Sequence, residues 1–318
     1  MANVFGISFG KKNGNDDVMV KTALMECASA GHDVRFLNAN DLTIKPCTGC
    51  VSCVIGMISG RGKGGCILRD DFEKIDEDLM WSDGVIVAAP TFETSPSGLF
   101  KDVCDRIGCS HDITFRKGCY DRGVAEGKSE DQLPDKRSFK KRTAILMTNG
   151  GAMTENWLEF SLPIMYEFTF SMGMDVIDNV KYFGAMEYDN ILGNEKYLNR
   201  CKKAGLNMVK ALAAENEEER VRWRGDEQGV CPVCHQRMIS VIGDGLDVDC
   251  PVCGSHGKLE VVDGKIKVVF AEAEQNRSRL RWDGKLEHSN EIANGAQTMK
   301  RTENLKELMA RYKAFPEA

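Results

Sequence analysis

Apolar residues along the first two-thirds of the chain alternate between two periodicities. Residues 3–8 read as a short buried strand, 84–89, with no polar face, as a strand covered on both sides, and 33–37, 143–147 and 175–177 as further strands. Between them the apolar positions fall at helical spacing. A helix is expected over 17–30, with Val20, Leu24 and Cys27 on one face and Gly31 as its stop. Another starts at Asp70 or Asp71 and runs through Ile75, Leu79 and Met80; further helices are expected at 99–107, 154–172 and 194–214. Strands alternating with helices predict an α/β fold with a parallel sheet and right-handed crossovers. Five such strands in this span fit the order 2-1-3-4-5.

That order is the flavodoxin-like, doubly wound arrangement, expected for residues 1–215 with a cysteine-bearing loop at 45–70. The pattern then changes. Residues 216–227 are a charged linker, and 228–270 hold short β segments with glycine turns, including Asp263-Gly264, which favours a type I′ hairpin. The stretch 271–318 is polar, with a helix expected at 302–313. Residues 116–142 read as a polar insertion with Arg116, Lys117, Lys136, Arg137, Lys140, Lys141 and Arg142, either a lid or docking surface or a solvated loop.

Composition narrows the function. The chain has 318 residues, of which 42% are hydrophobic and 28% charged, and its net charge of −6 argues against nucleic-acid binding by bulk positive charge. No apolar run reaches the roughly 20 residues that span a bilayer. The first residues lack a secretory pattern, so a cytoplasmic location is expected. Thirteen cysteines, eight of them in two groups at C-x-x-C spacing, point to metal or redox chemistry in a reducing compartment.

In an open parallel sheet, ligands bind beyond the carboxyl ends of the strands where the order reverses. Three loops meet that edge here. The first carries Ser8, Lys11, Lys12, Asn13, Gly14 and Asn15 just before a helix, and suits a phosphate monoester. It is neither G-x-G-x-x-G nor a Walker loop. The loop after the third strand carries Pro90, Thr91, Phe92, Glu93, Ser97 and Gly98, an aromatic on irregular backbone that fits a planar ring. The loop after the fourth carries Thr148, Asn149, Gly150 and Gly151, permitting close backbone approach. Any one of them is an ordinary turn-rich loop; together, at those strand ends, they favour a flavin.

Cys47, Cys50, Cys53 and Cys66 offer four thiolates, enough for a [4Fe–4S] cluster, with a zinc site or a redox dithiol as alternatives. Cys231, Cys234, Cys250 and Cys253 form two C-P-x-C knuckles, a four-thiolate site for zinc or, second, a rubredoxin-like iron. His235 and His256 are surplus to that site. Cys109, His111 and Cys119 read as structural, and no side chain stands out as a proton donor.

Several segments together resemble a known family. Lys12-Asn13-Gly14-Asn15, then Ala89-Pro90-Thr91-Phe92 through Ser97-Gly98 to Asp105-Arg106, and Ser171-Met172-Gly173-Met174-Asp175-Val176, are similar to the NADPH-dependent FMN reductase group of flavodoxin-like proteins. Lys45-Pro46-Cys47-Thr48-Gly49-Cys50-Val51-Ser52-Cys53 with Cys66-Ile67-Leu68-Arg69-Asp70-Asp71-Phe72 resembles its iron–sulfur flavoprotein branch, although twelve residues here precede Cys66 where that branch has a shorter gap. The resemblance covers about residues 3–213. It implies FMN, its phosphate on the first loop and its isoalloxazine on the other two. It also implies NAD(P)H or a reduced ferredoxin-like protein as donor, and a homo-oligomer. The small-molecule acceptor it implies is a quinone, flavin, nitro or azo compound, or an enone. Asp16 and Asp17 depart from it, standing where the family has a Thr or Ser that helps hold phosphate. A non-enzymatic carrier or sensor whose cysteine ribbon docks a partner is the competing reading.

Overall fold

The computed structural model describes residues 1–60, 63–186, 190–298 and 302–315. β1 (Asn3–Ser8) leads into α1 (Asn15–Ser29) and β2 (Asp33–Asn38). An irregular stretch then carries the first cysteines to α2 (Ser52–Ser59) and α3 (Phe72–Trp81). β3 (Gly84–Phe92) turns back into the short β4 (Ser95–Pro96), followed by α4 (Gly98–His111) and α5 (Ile113–Ala125). β5 (Thr143–Gly150), the short helices α6 (Ser161–Met165) and α7 (Glu167–Phe170), β6 (Asp175–Phe183), α8 (Glu195–Leu212) and α9 (Glu217–Val221) complete this part. The parallel order is β2-β1-β3-β5-β6, so the five-stranded flavodoxin-like reading holds.

Alternation along the strands explains why both faces are apolar. Phe5, Ile7, Val85, Val87 and Leu146 face one layer with Phe100 and Phe168. Their neighbours Val4, Ile86, Ala88, Ile145 and Met147 face the other, with Val20, Leu24 and Met208. On that side α1 and α8 pack closely at Gly205, where an added Cβ would lie 2.4 Å from the Ala23 carbonyl oxygen. Backbone cannot yield as a side-chain tip can. Gly205→Ala is therefore expected to cost about 1–3 kcal/mol in urea unfolding; an unchanged midpoint would show that the helices separate freely.

Two expectations need correction. The continuous helix expected over 154–172 is instead a short 3-10 turn at Glu155–Trp157 followed by α6 and α7. Pro163 lacks an amide hydrogen and is tolerated in the first turn of α6, whereas the interior of a long helix would lose a hydrogen bond there. The 116–142 insertion begins as α5, with Asp112 accepting from the Phe115 amide as its cap. Arg142 within that insertion is fully buried and donates to the carbonyls of Leu79, Met80 and Arg137. It closes the C-terminal end of α3, where a cation is favourable, and burial pushes it down to about 10.

C-terminal to α9, β7 (Ser240–Val241), β8 (Asp247–Asp249), β9 (His256–Val262) and β10 (Lys265–Val269) form an antiparallel sheet of order β10-β9-β8-β7. Asp263 and Gly264 have φ of 53° and 73°, the paired left-handed residues of a type I′ turn. The polar stretch beyond holds α10 (Glu272–Asn276), α11 (Trp282–Thr298) and α12 (Leu305–Lys313). The sequence pattern indicated only α12. α11 returns to α5, with Thr114 and Ser289 hydroxyls 2.8 Å apart.

Candidate active site and metal centre

The ends of β1, β3 and β5 lie side by side: Ser8 pairs with Ala88, and Pro90 with Asn149. The loop after β1 is folded by its neighbours. Asn38, which ends β2, and Asn40 just beyond it donate to the carbonyls of Phe9 and Gly10 at 2.8–3.1 Å. Asp17 accepts from the Asn13 amide and the Asn38 side chain, both at 2.7 Å. Gly14 is the N-cap of α1 and supplies no side-chain acceptor; an added Cβ there would sit 2.8 Å from the Lys11 carbonyl oxygen. Lys12 pairs with Asp41 at 2.9 Å, Asn15 accepts from the Ile191 amide, and the Ser8 hydroxyl accepts from Gly10.

After β3 the chain reverses at Glu93 and Thr94, both left-handed with φ of 48° and 71°. Non-glycine residues rarely adopt this conformation, and two in a row mark stored strain. The reversal leaves Phe92 exposed. The Thr91 hydroxyl lies 2.6 Å from Ser161 and 3.0 Å from Thr148, whose own hydroxyl donates to the Ala89 carbonyl. Ser97 precedes Gly98 at the start of α4, and its amide donates to the Pro90 carbonyl. Gly150 lets Leu158 close over the end of β5, while a Cβ on Gly151 would meet nothing nearer than Met186 at 4.0 Å. Met153, Trp157, Phe160 and Met186 are exposed apolar residues; Met186 lies near Gly151, and Phe160 precedes Ser161, which bonds to Thr91.

Four buried side-chain polar atoms have no hydrogen-bond partner among the described residues, and three of them belong to these loops: Asp16 Oδ1, Ser97 Oγ and Asn149 Nδ2. An unsatisfied buried group costs about 1–3 kcal/mol. Its concentration at one sheet edge fits a polar ligand that satisfies all three.

The first cysteine group occupies the same end of the sheet, beyond β2. Cys47 and Cys50 are exposed; Cys53, on α2, and Cys66 are partly buried. The Ser52 hydroxyl and amide, then Thr48, make the Cys50 thiol more acidic. Burial pushes Cys53 the other way, and the thiols of Cys109 and Cys66 add to the rise. Cys109, on α4, therefore faces this group, which its distance along the chain concealed. Arg106, also on α4, ties the segment down. It grips Asp70 at 2.6 and 3.1 Å and the Lys45 carbonyl at 2.8 Å.

In the C-terminal sheet the four sulfurs converge. Cys231 and Cys253 are 3.4 Å apart, as are Cys234 and Cys250, and all four sulfurs are buried within 4.8 Å of one another. Each knuckle closes the same way: the amides of His235 and Gly254 donate to the carbonyls of Cys231 and Cys250, and both residues have positive φ. Four buried sulfurs this close form a closed group that could hold one ion. His235 instead stacks on Trp223, and His256 pairs with Asp249. Among the described residues, Cys47, Cys50, Cys53 and Cys66 make no comparably tight group. Thiolates of a cluster bind different irons and stand farther apart than four on one ion.

The sequence profile of the NADPH-dependent FMN reductase family matches residues 3–179. The chain belongs to this family. It is accordingly an FMN-dependent oxidoreductase. Flavone synthase cfoJ of Aspergillus candidus is 28% identical over 298 residues, covering 92% of this chain and 89% of that one. A solved structure of a flavone reductase superposes with a TM-score of 0.81 at 26% identity, covering 99% and 98% of the two chains. An iron–sulfur flavoprotein of Methanocaldococcus jannaschii is 33% identical over 103 residues, only 32% of this chain and 49% of that one. The likeness to the flavone proteins thus runs through both sheets of this FMN reductase relative. No helix among its described residues is long and apolar enough to cross a membrane.

Proposed function

We propose that the chain is an FMN-dependent oxidoreductase of flavone-type enones, transferring two electrons between NAD(P)H and the ring C=C conjugated to the ketone. The observation that carries this is the exposed Phe92 at the turn between β3 and β4, packed by α6, whose preceding residue is the exposed Phe160, at a sheet edge with unsatisfied polar groups. A flat aromatic substrate needs such an edge; a buried carrier flavin does not. The length-wide likeness to a flavone synthase and a flavone reductase supports the same substrate class.

In this reading Ser8, Lys11, Lys12, Asn13, Gly14 and Asn15 hold the FMN phosphate. Pro90, Thr91, Phe92, Glu93, Ser97 and Gly98, with Thr148, Asn149, Gly150 and Gly151, hold the ring. When bound, FMN supplies hydride-level redox chemistry. The hydroxyls of Thr91, Thr148 and Ser161 fix the ring-side backbone through their mutual hydrogen bonds. Reduction balances as enone plus NAD(P)H plus a proton giving saturated ketone plus NAD(P)⁺, and the exposed edge lets water deliver the proton. Cys47, Cys50, Cys53 and Cys66 would hold a [4Fe–4S] cluster, which would supply one-electron chemistry, and the C-terminal four-cysteine site would hold zinc in a structural role.

Anaerobic purification with visible spectroscopy and iron, sulfide and zinc analysis tests the cofactors. NAD(P)H is expected to bleach the flavin bands, and a flavone to restore them with formation of the dihydro product. Restoration by a quinone but not by any flavone would defeat the substrate assignment.

A further inference from the structure

The two carboxylates that open α1 differ in their surroundings. Asp17 is fully engaged, accepting from Asn13 and Asn38 and lying 3.8 Å from Lys21, so its charge faces the loop it folds. Asp16 is 3% exposed, and its Oδ1 has no partner. Its other oxygen packs against Gly10, where an added Cβ would come within 2.1 Å. Beside it stands Asn149, whose Nδ2 acts on the carboxyl but completes no full hydrogen bond of its own. A charged carboxylate here would be buried, without a cation partner, next to Asp17 and beside the phosphate dianion that this loop is read to hold. Each of these disfavours the anion. Burial pushes the Asp16 carboxyl up to about 7; the Asn149 side chain and the Asp16 amide oppose the rise, and Asp17 adds to it.

We propose that Asp16 binds the FMN phosphate as a neutral carboxylic acid, donating a hydrogen bond from its carboxyl O–H to a phosphate oxygen. The inference rests on the reading that the loop after β1 holds that phosphate. The departure from the Thr or Ser of the family then becomes a substitution of one hydroxyl donor for another, with the difference that this one titrates. The charged group that acts on it is Asp17; Lys21 faces Asp17 and Lys12 faces Asp41, while Lys11 belongs to the same loop. Asn15, Asn38 and Asn149, from the adjoining elements, carry no charge. Because the complex keeps the proton that the free protein loses, FMN binding takes up a proton above the carboxyl's own titration, and affinity falls as pH rises.

The test uses the full-length protein loaded with FMN and diluted at a series of pH values from about 6.5 to 9, with released flavin read by its fluorescence. Riboflavin, which lacks the phosphate, is run in parallel. The Kd for FMN is expected to rise by about tenfold per pH unit above about 7.5, while that for riboflavin stays flat. Asp16→Asn donates without titrating, so its FMN Kd should be level within about threefold over the same range. Lys11, Lys12 and Lys21 remain in that variant and cancel from the comparison. A flat FMN curve in the unaltered protein overturns the proposal, as does a slope shared with riboflavin or with the Asn variant. Should that variant not fold by circular dichroism, the FMN and riboflavin curves of the unaltered protein decide alone. Retention of neither flavin at any pH defeats the cofactor reading itself, and the role of Asp16 with it.

Discussion

Removing the ion proposed for the four-cysteine site is expected to unfold the C-terminal antiparallel sheet while the parallel sheet stays folded. The strands there are short, β7 having two residues and β8 three, and β10 is largely exposed. Beyond the sulfurs, the buried apolar residues of this region are few: Val248, Val252 and Phe270. So small a core does not offset the chain entropy of ordering it. Four sulfurs within 4.8 Å cannot all ionise without a cation between them. A structural zinc site contributes on the order of 10–16 kcal/mol to such a module. Chelation at mildly acid pH, or Cys250→Ser, should release one metal ion per chain by elemental analysis and open residues 228–270 to protease. The Tyr166 hydroxyl, which donates to the Cys234 carbonyl, would lose its partner, so near-ultraviolet dichroism should report the change. A metal-free protein that resists cleavage in this region would show that packing alone holds it.

What the sequence revealed depended on how local the determining contacts are. The run at 84–89 is apolar throughout because β3 is covered on both faces, a property of each residue. The Asp263-Gly264 turn and the C-P-x-C knuckles are likewise set by neighbours in the chain. α5 was hidden because its buried side includes Thr114, Arg116, Cys119 and Gly123 rather than a leucine stripe. α11 was hidden because its sequence is polar, and its link to α5 runs through Ser289 and the nearly buried Lys285. Cys109 lies far from Cys53 and Cys66 in sequence, and only the packing of α2 against α4 brings them together. In the loop after β1, the residue types indicated an anion site, but the different duties of Asp16 and Asp17 follow from contacts with Asn38, Asn149 and Gly10.

The Arg106–Asp70 pair is the clearest case of a long-range contact joining two motifs, and its loss is expected to loosen the first cysteine group selectively. Both side chains are buried. Asp70 also accepts from the amides of Lys45 and Phe72, at 2.8 and 3.1 Å, and the guanidinium lies over the Phe72 ring. One ion pair thus fixes both ends of the segment that carries Cys47 to Cys66. Burial opposes ionisation of Asp70, but Arg106 and the two amides prevail and hold its carboxyl at about 2, below the ordinary 3.8. A depressed carboxyl stabilises the fold above its unfolded value and loses that contribution as pH falls through the folded one. The window is therefore about pH 4 down to 2, and the contribution is on the order of 2 kcal/mol. Arg106→Met leaves Asp70 buried without its cation, a loss of about 3–5 kcal/mol. Arg106→Lys keeps the charge but not the two-pronged grip, and should fall between. Urea unfolding of these variants, of Asp70→Asn and of the double variant isolates the coupling. Iron content and protease cleavage between residues 43 and 70 report the cysteine segment, and retained FMN reports the sheet edge. Loss of the iron assigned to the proposed cluster, with FMN retained, is the expected outcome. Equal loss of both would mean that Arg106 supports the sheet edge as a whole, and an unchanged iron content would mean that the cysteines hold their own loop.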